Sequence, residues 1–144
     1  MYHFATIEEL KRAAYAKADW FHTEYLMNIE QHNILLGIGL NYIRFAVEEP
    51  HLFRFLFQSG FSTENSLLEM INSEELKPVI STMQKTMNLN IEQTKEVFVT
   101  LALFVHGYAS IIINNLLEYN EKIIALHLER VYAGAILAIQ EQVK

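Results

Sequence analysis

Cysteine is absent from this sequence of 144 residues, proline occurs twice and glycine five times. The first absence removes disulfides, thiolate metal sites and cysteine nucleophiles, and it fits a cytoplasmic protein. The scarcity of proline and glycine leaves few breaks, which favours long helices over a many-stranded sheet. Charge is scarce too, at 19% of residues against 51% hydrophobic, a balance that excludes a disordered chain. The basic residues are scattered, with only Lys11 and Arg12 adjacent, and the net charge is −6. Such a chain repels nucleic acid as a whole, and no local basic patch offsets that repulsion. The N-terminus has no basic-then-apolar signal pattern. No phosphate loop, G-x-S-x-G elbow or H-E-x-x-H motif is found, so nothing points to an enzyme or to a cofactor.

What is there is apolar residues at helical spacing, in a single domain of about six helices spanning the chain. Thr6-Ile7-Glu8-Glu9 reads as a capping box opening a helix that carries Leu10, Ala14, Ala18 and Phe21 on one stripe and ends near Asn28. A second helix runs from about Glu30 to Glu49, with Gly37 and Gly39 inside it, where they permit a close approach by a neighbour. Pro50 ends that helix and opens a third, Pro50 to Phe57, that is aromatic nearly all round. Ser62 to Ser73 holds at most a short helix around Leu67, Leu68 and Ile71, and a fourth proper helix covers Glu74 to Met87. Asn90 caps a long helix from Ile91 to about Glu118, and Asn120 caps the last, Glu121 to Gln142.

Beyond Val97 the penultimate helix is apolar on every side, which marks it as central or as part of an interface. Val97 to Ile113 sits at the short edge for a membrane span, and Thr100, His106, Gly107 and Ser110 interrupt it. A buried helix of a soluble bundle is the reading taken, with no membrane. Asp19-x-x-His22 and Glu48-x-x-His51 have the spacing of a di-iron half-site, but the first offers Asp for Glu and the second crosses Pro50. No metal site is expected. Arg44 can hold an acidic ligand, or pair with Glu48 one turn on, which is the ordinary arrangement. A histidine such as His106, set in an apolar run, is ordinarily tied to a backbone carbonyl, although it can also face a ligand.

Some stretches are similar to one known family. Tyr2-His3-Phe4, followed by Glu8-Glu9-Leu10, resembles the junction between recognition helix and body in TetR-type transcriptional regulators, with Ile7 where the family usually has a phosphate-contacting lysine. Tyr42-Ile43-Arg44-Phe45-Ala46, then Glu49-Pro50 and Leu52-Phe53-Arg54, looks like a segment common in one branch of that family, and His106-Gly107 resembles a pair in its penultimate helix. The resemblance implies an all-α effector-binding and dimerisation domain, with residues 1–5 the end of a recognition helix and most of the DNA-binding head absent. It implies a homodimer whose last two helices form a four-helix bundle across a two-fold axis. It implies a small apolar or amphipathic effector, and contact with DNA only if a helix-turn-helix precedes Met1. Aromatic residues of the kind that line such effector cavities are Trp20, Tyr42, Phe45, Phe57, Phe61 and Phe104, joined by His106. The rivals are a headless interaction module that forms mixed dimers with intact regulators, and a small helical enzyme or metal protein.

Overall fold

The four longest helices each begin where a short polar side chain satisfies a free backbone N–H group. In the computed structural model, which describes residues 6–29, 33–58 and 67–142, the described chain is entirely helix and connecting turns. Helix α1 (Ile7–Met27) opens on Thr6, whose hydroxyl accepts from the Glu9 N–H at 3.1 Å. Helix α2 (Ile34–Glu48) opens on Asn33, which accepts from Leu36 N–H; the expected start near Glu30 lies outside the described residues. Pro50 opens α3 (Pro50–Gln58) as the sequence indicates. The uncertain stretch contains a short helix, α4 (Leu67–Ile71), and a 3-10 turn (Glu74–Leu76) leads into α5 (Lys77–Met87), with Pro78 in its first turn. Asn90 and Gln93 form a reciprocal capping box on α6 (Ile91–Ile113), and Asn120 caps α7 (Glu121–Glu141).

The end of α6 corrects the sequence reading, which carried it to Glu118. The helix stops at Ile113 because Asn115 takes a left-handed conformation, φ 61°, and the Leu116 N–H turns back to the Ile111 carbonyl. Asparagine tolerates that conformation better than any other non-glycine residue, and two adjacent asparagines are a stop signal that hydropathy does not register.

Helix α2 is the centre of the molecule, packed against α1, α3, α5, α6 and α7. Leu40, Ile43, Phe45 and Ala46 are fully enclosed there, and Phe53, Val79, Val97, Ile124 and Leu128 extend the core outward. The buried Asn41 amide joins α2 to the end of α1, donating toward the carbonyls of Tyr25, Leu26 and Asn28 at 3.2, 3.1 and 3.0 Å. Those carbonyls belong to a helix terminus, where no backbone partner is left for them. Gly39 meets α7: a Cβ there would lie 2.6 Å from the Tyr132 hydroxyl.

One ion-pair expectation changes. Arg44 bridges to Glu121 at the start of α7, not to Glu48, and Glu48 accepts from the Tyr25 hydroxyl at 2.6 Å. The local i,i+4 pair loses because Tyr25, from α1, occupies the Glu48 carboxylate, while the first turn of α7 brings a second carboxylate to the guanidinium.

Helices α6 and α7 are both long and apolar enough, by length and composition, to cross a membrane. Each also leaves an apolar stripe uncovered by the rest of the chain. On α6 the stripe is Leu103, the half-buried Gly107 and Ile111; on α7 it is Ile123, Leu126, Gly134 and Leu137, with the exposed Arg130 on the same face between Leu126 and Gly134. Gly107 lies midway along the first stripe and Gly134 toward the C-terminal end of the second, and a Cβ built on either glycine meets nothing within 4 Å.

Candidate functional site

Three helix faces converge on one cavity of about 380 Å³. Helix α1 contributes Tyr15, Asp19, His22, Thr23 and Leu26, spaced along one face at the helical repeat. Helix α2 contributes Leu35, Ile38, Gly39 and Tyr42, and α6 contributes Phe98, Leu101, Ala102, Val105 and His106, with the largely exposed Leu103 at the edge. Phe57 of α3, Val79 and Met83 of α5, and Tyr132 of α7 close the remaining sides. The volume lies in the lower part of the range of small-molecule pockets, and the composition is typical of them: mostly apolar walls with a few placed polar groups.

Nearly all of those polar groups have partners. Tyr15 donates to the Leu56 carbonyl at 2.9 Å, and Tyr132 donates to the Leu35 carbonyl. Thr23 donates to the Asp19 carbonyl at 3.1 Å and Ser73 to the Met70 carbonyl at 2.7 Å. The Tyr42 hydroxyl lies 3.0 Å from Nδ1 of His106. His22 differs. Its Nε2 is buried and has no hydrogen-bond partner among the described residues.

The ring of His22 is held by other rings. Phe45, Phe57 and Tyr42 stand nearly edge-on to it, with centroids 4.7, 5.3 and 5.4 Å away. His106 is stacked on Phe53 with centroids 5.6 Å apart. Burial disfavours the imidazolium in this setting and pushes His22 down to about 3; His106 is lowered for the same reason. Burial also raises Tyr42, keeping its hydroxyl protonated. Both imidazoles and the hydroxyls of Tyr42 and Tyr132 are therefore uncharged near neutral pH. Asp19 is the one acidic residue on the described wall, and no lysine or arginine is on it. No group of three His, Asp or Glu placed to hold a metal ion occurs among the described residues.

Of the residues singled out in the sequence, Tyr42, Phe57 and His106 stand together on this wall. Phe45 does not reach the cavity; it is wholly buried behind His22 and supports that ring. Trp20 is 63% exposed and off the wall. It lies two residues from both Ala18 and His22, hence about 200° around α1 from the buried face. Phe104 is likewise two residues from Ala102 and His106, off the wall, and packs on the Tyr108 ring instead. Phe61 lies outside the described residues, as do residues 1–5. His106 is tied to a tyrosine hydroxyl, not to a backbone carbonyl as its surroundings suggested.

Sequence reasoning passed over Tyr15, His22 and Tyr132 as wall residues. The signal for the α1 pair was spacing. Tyr15, Ala18, His22 and Leu26 form the buried line of that helix, whereas Leu10 and Phe21 of the expected stripe are exposed. Comparison with known proteins returns no matching family model, no matching curated protein and no matching solved structure.

Proposed function

We propose that this chain is a small-molecule-binding and dimerisation domain of the kind found in TetR-type regulators. The observation that carries the reading is the cavity: a mostly apolar, aromatic-rich space walled chiefly by α1, α2, α3, α5 and α6, with few polar groups and a single carboxylate, Asp19. The resemblance of Tyr42 to Arg54, and of His106-Gly107, supports the same reading, because those segments supply two of the walls. An effector that fits one arrangement of these helices better than another shifts the population between them, and α1 and α6 are the elements that transmit the shift.

The dimer of this reading forms through α6 and α7. Their uncovered stripes would otherwise leave large aliphatic side chains in water, among them Leu103 and Leu137, which are 64% and 57% exposed. The glycine in each stripe lets a partner helix approach closely. Glu129 and Arg130 are exposed midway along α7, which favours a protein partner in an aqueous compartment over lipid. The protein is read as cytoplasmic, without catalytic activity of its own.

The test is sedimentation equilibrium on the whole chain and on Leu126→Glu/Leu137→Glu. The wild type is expected to sediment as a dimer and the variant as a folded monomer. A monomeric wild type at 100 μM would remove the dimer from the proposal. Calorimetric screening of small apolar compounds tests the cavity independently, and binding that is indifferent to Ala102→Trp would place the ligand elsewhere.

A further inference from the structure

The cavity specifies more than an apolar ligand. Its polar groups can be counted, and almost every one is already spent. The wall tyrosines at 15 and 132 donate to backbone carbonyls, the Thr23 and Ser73 hydroxyls do the same, and Tyr42 is bonded to His106. Asp19 too is engaged by a neighbour. Among the described residues, the buried side-chain polar atom left without a partner is Nε2 of His22, a residue 5% exposed whose side chain lines the cavity beside leucine, isoleucine, valine and phenylalanine. A buried polar atom without a partner is costly, and natural cores rarely keep one without a use for it.

We infer that the cavity binds an uncharged, largely apolar molecule carrying one hydroxyl or carbonyl oxygen, and that this oxygen bonds to Nε2 of His22. This rests on the small-molecule reading above and names the class of ligand. Charge excludes the alternatives. An anion would find no lysine or arginine on the wall, and Asp19 would repel it. A cation would find a single carboxylate that already has a partner, and no other acceptor with charge. A neutral imidazole nitrogen serves either as donor or as acceptor according to its tautomer, and a hydroxyl matches both cases. A molecule with several polar groups would leave the rest unpaired against the aliphatic walls, which selects for one.

Three probes of equal chain length separate these cases: 1-decanol, decanoate and decylammonium, titrated calorimetrically into the intact chain at pH 7.5. The expected result is that decanol binds at least tenfold more tightly than either ion and moves the His22 imidazole 15N resonances. His22→Phe, which keeps the ring and loses the nitrogen, should weaken decanol about fivefold to tenfold, the worth of one neutral hydrogen bond. Without ligand the same variant should melt higher than wild type, because it removes a buried unpaired group. A histidine with a purely structural role would give a lower melting temperature and unchanged decanol affinity. If either ion binds as tightly as decanol, or if decanol binds without disturbing His22, the inference fails while the cavity reading stands. If none of the three binds, both fall. The wild-type selectivity and the 15N shifts decide the matter even if His22→Phe does not fold.

Discussion

The hydroxyl of Tyr132 crosses from α7 to the carbonyl of Leu35 on α2, passing through the place where a side chain at position 39 would begin. Gly39 is what allows it. A methyl group there would sit 2.6 Å from that hydroxyl and 3.0 Å from a Leu128 methyl. Alanine normally gains about 1 kcal/mol over glycine inside a helix. Here the clash should outweigh that gain, because the hydroxyl is buried and bonded and Leu128 is fully enclosed. Gly39→Ala is expected to destabilise by about 1–3 kcal/mol in urea denaturation. Adding Tyr132→Phe should recover part of the loss, since it removes the atom that clashes; a Gly39→Ala variant as stable as wild type would mean the α2–α7 contact is looser than described.

Tyr42 and His106 form a side-chain pair on the cavity wall, 3.0 Å apart. Tyr42→Phe keeps the ring among Phe53, Phe57 and His22 and removes only the hydroxyl. His106 is half-buried, so water can reach the nitrogen that loses its partner. The cost should therefore be near that of one ordinary hydrogen bond, about 1 kcal/mol. Urea denaturation measures it. A loss above about 3 kcal/mol would show that the pair organises the whole wall.

How much of this was legible beforehand divides along a physical line. Helix starts were legible, because capping by Thr6, Asn90 and Asn120 is local chemistry acting over three residues. The stop after Ile113 was missed because it depends on one asparagine going left-handed. Of the six described candidate residues, three reach the wall: Tyr42, Phe57 and His106. Trp20 and Phe104 were chosen for being aromatic, and the helix turns both away from the wall. His22 was overlooked because hydropathy counts histidine as polar, although the 15, 18, 22, 26 spacing of buried residues runs through it. Arg44 found its partner across the fold, on α7, which no local spacing rule supplies.

His22 makes stability depend on pH in a definite direction. In the folded chain it resists protonation down to about 3, whereas unfolded it takes a proton below 6.5. Between those values the unfolded state binds more protons, so stability falls as the solution is acidified. The neighbours facing it do not reverse the sign: Tyr42 stays neutral, and His106, lowered by the same burial, adds to it. The slope from His22 approaches ~1.4 kcal/mol per pH unit below 6.5. Urea denaturation at pH 7, 6 and 5 on wild type and His22→Phe isolates it. The variant should lead by about 2 kcal/mol more at pH 5 than at pH 7. Parallel curves would mean that His22 titrates normally in the folded protein.

Gly134 separates what one chain needs from what two chains need. Within one chain a Cβ at that position touches nothing, so Gly134→Leu removes a helix-interior glycine at no steric cost. A monomer should gain up to about 1 kcal/mol from the better helix former. In the proposed dimer the same position lies in the α7 stripe beside Leu137, where a partner helix approaches closely and a leucine would hold it off. The two effects have opposite signs and different concentration dependence. At submicromolar protein the variant should melt above wild type; at high concentration it should melt below it, with dimer affinity lowered at least tenfold in sedimentation equilibrium. A variant that melts higher at every concentration, with unchanged association, would mean that the α7 stripe is not where two copies of this chain meet.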